Sequence, residues 1–415
     1  MAAPQTSIAG GRVAFTYPSF VFFQLARFCI VLATEMQSVA VAWQVYEITK
    51  RPLDLGFVGL AQFLPGIFLF LVSGHMADRY DRRKVIVLCY LGFTLCSASL
   101  LLVTARGTHS VYPIYAVLLF LGVVRSFNAP VSRAILPQLV AEPHFPNAVA
   151  WASSVFQCAT ILGPSLGGLV YAISHGPAVV YALAASFGVA ATCATLRIKT
   201  QSQTRSREPV NLTNVLAGFR YIWRQKLILG SISLDLFGVL LGGAVALLPV
   251  YAREILRTGP WGLGILRTAP AIGAATMAVY LAHKPLRRRA GATMLWCVAS
   301  FGAFTILFGI SRSLALSLMA LALVGASDVV SVIIRATLIQ TATPDQMRGR
   351  VNAVDMVFVG ASNELGQFES GVTAHWFGTV PAVVLGGIGT LLVTAVWAWC
   401  FPALRKADQL TTVQK

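Results

Sequence analysis

Uncharged apolar runs of about twenty residues alternate with short polar interruptions along most of the chain. Leu55–Ser73 carries no charge, and neither does Val85–Ala105. Between them, Asp78–Lys84 packs six charges into seven residues. About 20 apolar residues in a helix cross the hydrocarbon core of a bilayer, so this stretch predicts two membrane helices joined by a tight charged hairpin, Gly74–Lys84. The same pattern predicts further spans at roughly Phe20–Tyr46, Val111–Leu136, Pro146–Ile173, Ala178–Leu196, Ile228–Leu256, Trp261–His283, Gly291–Ile310, Leu314–Ile339, Arg350–Phe377 and Val380–Phe401. The expected fold class is an all-α membrane protein with twelve transmembrane helices.

The pattern breaks once. Arg197–Asn214 is polar, and Val215–Lys226 after it is basic and amphipathic, as suits a helix on an anionic membrane surface. This divides the chain into a bundle over 1–196, a linker with its amphipathic helix over 197–226, and a second bundle over 227–415. The two bundles repeat. Gly59-Leu60 and Pro65-Gly66-Ile67 are matched by Gly264-Ile265 and Pro270-Ala271-Ile272; Arg133-Ala134 by Arg335-Ala336; Asn147-Ala148 by Asn352-Ala353; Pro177-Ala178 by Pro381-Ala382. The matches keep their order and a nearly constant offset. They imply a parallel duplication of six helices into two pseudo-symmetric six-helix bundles, of the kind that rock about a central site.

Composition agrees: of 415 residues, 56% are hydrophobic and 11% charged, with a mean hydropathy of +0.72, where a soluble domain carries about 25% charged residues. The net charge of +17 would suit a nucleic-acid partner, but the basic residues cluster in loops that alternate sides, as the positive-inside rule requires. No nucleic acid is expected. The bias puts both termini in the cytoplasm of a cell (inner) membrane. The N-terminus lacks a short apolar segment followed by a small-residue cleavage site, so a removed signal peptide is not expected. The seven cysteines lie in apolar runs without paired spacing, so no metal is expected.

Twelve spans, a central basic linker and the charged hairpin resemble the major facilitator superfamily of secondary transporters. The superfamily's hairpin motif, Gly-x-Leu-Ala-Asp-Arg-x-Gly-Arg-Arg/Lys, is met by Gly74, Ala77, Asp78, Arg79, Arg82 and Arg83; Met76 replaces Leu and Asp81 replaces the second Gly. Asp-Arg-Arg at this point is similar to the enterobactin-exporter and macrolide-efflux-like branch. Gly163, Pro164, Gly167 and Gly168 resemble the Gly-Pro-x-x-Gly-Gly antiporter motif of exporters, with Ala159 in place of its earlier Gly. The resemblance implies that the hairpin aspartate, Asp78, faces the start of the eleventh span. There Arg82 and Arg83 would pair with Asp355 or the helix end, closing a cytoplasmic gate. The second half has no aspartate at the equivalent of Asp78, so topology does not explain that residue.

Ionisable groups inside spans are costly and usually functional. Glu35, Asp235, Arg125 and Asp328 lie within the first, seventh, fourth and tenth spans, which the resemblance implies line a central cavity. Arg125 and Asp328 are repeat equivalents, so they are expected to face each other across it. Glu35 is the first choice for a proton-coupling or substrate role; the alternative is that it neutralises Arg27 two turns away. Glu364 and Glu369 make a polar face on the eleventh span that either lines the cavity or pairs between helices. Arg267 is expected near the outer end of the eighth span, snorkelling to the surface.

No catalytic constellation is present, so an enzyme is not expected, and neither is a cofactor beyond a proton gradient. These features predict a monomeric efflux transporter that moves a small amphiphilic compound, such as a drug, macrolide or siderophore-like molecule, out of the cytoplasm by alternating access and proton antiport. The alternatives are an importer or lipid flippase of the same fold, and a non-transporting membrane sensor.

Overall fold

The computed structural model describes residues 11–107, 110–199, 212–284 and 289–407, without the side chains of Phe70, Leu71, His75, Ala77, Asp78, residues 212–216, Asp345 and Gln346. Its long helices are α1 (Pro18–Thr49), α2 (Pro52–Arg79), α3 (Arg82–Ala105), α4 (Tyr112–Ile135), α5 (Phe145–Ser174), α6 (Ala178–Leu196), the amphipathic α7 (Leu212–Arg224), α8 (Lys226–Gly242), α9 (Gly259–His283), α10 (Ala290–Ile310), α11 (Leu314–Ala342), α12 (Asp345–Phe377) and α13 (Thr379–Cys400). Several start with a proline in the first turn, where its missing N–H and fixed φ do no harm. α1 and α5 end on left-handed residues, Lys50 and His175. Asp81, the departure from the hairpin motif, caps α3: its carboxylate accepts from the backbone N–H of Arg83 at 2.9 Å and of Lys84 at 3.4 Å. Such a cap is worth about 1 kcal/mol.

Eleven segments among the described residues are long and apolar enough to cross a membrane. The eleventh predicted span, α12, is a 33-residue helix that carries Asp355, Glu364 and Glu369 and so reads as polar. The seventh span was expected to be one helix. It breaks after Gly242 and continues as a 3-10 turn at Ala244–Leu247, a helical turn at Leu248–Val250 and a π-turn at Tyr251–Ile255. Irregular backbone at membrane depth survives where it is buried in protein or lines a cavity, and here Ser370 Oγ donates to the freed Gly243 carbonyl at 2.9 Å.

The repeat is visible in the packing. In the first half α1 packs on α5 and α6, α2 on α4, and α3 on α4 and α6; in the second, α8 packs on α12 and α13, α9 on α11, and α10 on α11 and α13. The halves meet through two symmetry-related pairs, α5 with α9 and α2 with α12. Large side chains on the outer surface, including Phe68, Leu88, Trp296 and Trp399, are exposed, as lipid-facing residues should be. α7 docks on α12, with Ile222 buried, and the Tyr221 hydroxyl donates at 3.0 Å to the Ala342 carbonyl at the end of α11. Its Phe219 and Trp223 stack at 5.9 Å and remain exposed.

Without water to drive association inside the bilayer, helices hold together through close packing of small residues. A Cβ placed on Gly273 of α9 would stand 1.8 Å from the Ala322 carbonyl oxygen of α11, whereas one on Gly349 of α12 would meet nothing within 4 Å. Gly273→Ala is therefore expected to destabilise by about 1–3 kcal/mol through overpacking. Gly349→Ala should be neutral or slightly stabilising, because the helix loses a flexible residue. Thermal unfolding of the two purified variants in one detergent checks the contrast.

Candidate functional site

Where α1, α2 and α4 face α9, α12 and the broken seventh span, the halves enclose a cavity of about 140 Å³. Four charged side chains line it, an acid and a base from each half: Glu35 and Arg125 from the first, Arg267 and Glu364 from the second. Arg267 lies within electrostatic reach of Glu35, Glu364 and Arg125, and Glu364 within reach of both arginines. Arg125 Nη1 donates to Gln62 Oε1 at 2.8 Å, and Gln367 Nε2 donates to Glu364 Oε2 at 3.1 Å. The four charges sum to zero, so each stands near opposite charge at membrane depth, where a charge alone would be costly. The set is chemically suited to hold a polar or zwitterionic group of a bound molecule.

The other predicted acids are elsewhere. Asp235 and Asp328 line a separate cavity of about 190 Å³ within the second half, together with Arg335, Asn363 and the rings of Phe301 and Phe308. Arg335, 3% exposed, pairs with both Asp235 and Asp355, its Nε standing 3.2 Å from Asp355 Oδ1. Arg125 and Asp328 therefore do not face each other. Although they are repeat equivalents on α4 and α11, one points into the cavity between halves and the other into the cavity within a half. Val245, in the broken segment, lines both.

At the end of the bundle opposite the Gly74–Lys84 hairpin, side chains bridge the two halves. Arg253 Nη1 stands 3.6 Å from Glu47 Oε1, and its guanidinium lies over the Trp43 ring at 5.6 Å. Tyr171 donates to Glu47 Oε2 at 3.0 Å, and Tyr46 donates to Glu254. Arg253 and Glu254 sit on the π-turn, so the break in the seventh span is what delivers them to α1. Further along, Ser165 and Thr268 hydroxyls bond across the halves at 2.7 Å, and Gln157 Nε2 donates to the Ala271 carbonyl at 3.2 Å.

A fold of two six-helix halves around a charged cavity can be compared with known proteins. The transmembrane secretion effector family matches residues 13–414. The chain belongs to this family of major facilitator transporters. The enterobactin exporter EntS of Escherichia coli O1:K1 / APEC and that of Shigella boydii serotype 18 are each 30% identical over 388 residues, covering 91% of this chain and 86% of the relative. Among solved structures, the peptide transporter PepTSo superposes with a TM-score of 0.71 at 12% identity, covering 94% of this chain and 98% of that one. A bacterial homologue of the human lysosomal transporter Spinster, inward-facing and unoccupied, gives 0.68 at 14% identity, covering 94% and 96%. Such low identities establish the fold alone. The chain is a transporter and not an enzyme.

In this transporter the antiporter-motif residues divide between two contacts. Cβ atoms on Gly163 and Gly167 would strike Glu35 and Met36 of α1 at 2.4 and 2.7 Å, so these two glycines set the α1–α5 packing that holds Glu35 in place. Gly168 faces the other half: a Cβ there would lie 2.5 Å from the Pro260 carbonyl and 2.9 Å from Gly264 Cα. Its repeat equivalent, Gly371, meets Gly56 of α2 in the same way, at 3.0 Å. Pro164 sits inside α5, which continues through it.

The hairpin pairing expected from the resemblance needs correcting. Arg82 Nη1 donates to the Ala134 carbonyl at 2.7 Å and Arg83 to the Leu196 carbonyl, so both reach the C-terminal ends of helices in their own half, where a cation meets the negative end of the helix dipole. Asp355 is taken by Arg335. Gly74 and Arg79 lie at the end of α2; the side chain of Asp78, and any partner it has, lies outside the described residues. Arg27 does not pair with Glu35: its guanidinium lies over the Phe156 ring at 5.3 Å. Arg267, expected to snorkel, lines the cavity, and of the two open readings of Glu364 the lining one holds.

Reasoning from sequence passed over Arg335, Glu47, Arg253 and Glu254 as site residues. Arg335 had a usable signal, since it lies inside an apolar span and repeats Arg133. The other three sit at span ends, where charges are ordinary. Arg253→Gln is expected to weaken the bridge between halves. Spin labels on the ends of α1 and α9 beside it should then show a longer or broader distance distribution than in the wild type, measured by double electron–electron resonance.

Proposed function

We propose that this transporter exports a small amphiphilic compound, with a siderophore such as enterobactin as the leading cargo, across the inner membrane by alternating access. The observation that carries the reading is the cavity between halves, in which each half supplies one acid and one base. A site built by both halves changes shape whenever they rock, which is what alternating access needs. The name of the relatives, enterobactin exporter, supports the cargo class and the direction. Basic residues gathered at the hairpin end support cytoplasmic termini. The bridge of Glu47, Arg253, Tyr46 and Glu254 then lies on the outer side, and the described conformation is closed there. We read the transporter as a monomer that needs no cofactor beyond the proton gradient.

In this scheme Glu35 and Arg267 bind cargo, because the charge of each is already balanced within the cavity. Enterobactin loaded into proteoliposomes provides the assay. Glu35→Gln is expected to reduce flux about tenfold at low cargo concentration, the equivalent of one lost charge-assisted contact of about 1.4 kcal/mol, with recovery at high concentration. Flux equal to wild type at every concentration would remove Glu35 from the cargo site. Asp78 retains its proposed role as the latch of the cytoplasmic gate. Asp78→Asn is expected to abolish flux while membrane insertion and yield stay normal, and wild-type flux in that variant ends the latch reading.

A further inference from the structure

Three carboxylates share one guanidinium in the second half. Arg335 holds Asp235 and Asp355 directly. Asp328, two turns earlier on α11, makes no hydrogen bond or ion pair with any described residue; the charges within its reach are Asp235, which repels it, and Arg335, which is already engaged twice. Beside it is a second, much smaller cavity of about 10 Å³, lined by Asp235, Asp328, Ser327, Ser331 and Cys297, about the room of one water molecule. Serine and threonine hydroxyls in these spans commonly bond back to a carbonyl one turn earlier, as Ser154, Ser186 and Thr337 do. Ser327 and Ser331 do not. Ser331 is 2% exposed, and its buried hydroxyl has no partner among the described residues.

An ionised carboxylate at membrane depth is costly without a counter-charge. Glu35 has Arg267 nearby; Asp328 has nothing free. We propose that Asp328 carries the exchangeable proton of this transporter, in a compartment within the second half that is separate from the cargo cavity, with the unpartnered Ser331 hydroxyl beside it on the wall of the small cavity. This deepens the export reading and rests on it for the purpose of the proton. The other titratable or charged groups facing Asp328 among the described residues are Asp235 on α8, Cys297 on α10 and Arg335 on α11 itself, with Asp355 on α12 joined to them only through Arg335.

The link to cargo is α12. Asp355 is tied to Arg335 about a third of the way along this helix, Glu364 lines the cargo cavity about 14 Å further along, and Gly371 seals against Gly56 another 10 Å or so beyond, at about 1.5 Å per residue. Neighbouring residues Asn363 and Glu364 face the two different cavities. With the proton on Asp328, Arg335 serves two carboxylates and α12 is held at Asp355. When the proton leaves, three carboxylates compete for one guanidinium, the hold on Asp355 weakens, and α12 is released to shift against α2.

An infrared titration of the full chain in proteoliposomes, between about pH 5 and 9, tests this without any cargo. The wild type and Glu35→Gln should both gain the carbonyl band of a protonated carboxylic acid as pH falls. Asp328→Asn should lose one such carboxyl per chain. Ser331→Ala, a milder change that leaves the carboxyl in place, should keep the band and displace its midpoint. A titration in Asp328→Asn that matches wild type, a band lost in Glu35→Gln instead, or a midpoint unmoved by Ser331→Ala overturns the proposal. A chain that titrates as expected and moves no enterobactin refutes the export reading alone.

Discussion

A charge within the hydrocarbon of a bilayer has no water to turn to, so each one must find its opposite in the protein. That demand arranges the centre of this transporter. Glu35, Arg125, Arg267 and Glu364 come from four helices and both halves, and they gather in one cavity where their charges cancel. Arg335 stands between Asp235 and Asp355 and ties α8, α11 and α12 together. At the far end Arg253 and Glu254 meet Glu47 and Tyr46. The apolar majority of the chain makes helices and faces lipid, but the few buried charges decide which helices meet and where space is left.

The second constraint is distance. Backbones approach closely enough to close one end of the passage because glycine faces glycine at two places related by the internal repeat: Gly168 against Gly264, and Gly371 against Gly56. A side chain at either pair would hold the halves apart. The seal and the charge cluster are mechanically joined, since α12 carries Asp355, Glu364 and Gly371 on one continuous helix. α5 plays the corresponding part in the first half. Gly163 and Gly167 seat it on α1 beside Glu35, and Gly168 seals it against α9. Motif residues that looked like one unit in the chain therefore serve packing within a half and contact between halves.

Much of this was legible in the chain. Uncharged runs of the right length mark the spans, and the ordered repeat matches identify the two halves before any contact is known. Asp81 was legible as a departure from the motif, though not as the cap of α3. What could not be read was pairing. Arg125 and Asp328 occupy equivalent positions in the repeat, yet equivalence fixes only a place within each half. Each side chain points where its own half leaves room. Arg82 and Arg83 were assigned by resemblance to Asp355 or the helix end, whereas Asp355 is held by Arg335 of the neighbouring helix α11.

The sequence by itself determined the positions of the spans, the duplication and the membrane setting, because helix length, hydropathy and loop charge are local properties written residue by residue. It also determined that several buried charges must exist. Only the tertiary structure decided which of them meet, that they divide between two cavities, and that the seventh span breaks to carry Arg253 and Glu254 to the first helix. Those outcomes depend on side chains separated by some two hundred residues or more in the chain, as Glu47 and Arg253 are, and no local pattern encodes a distance in space.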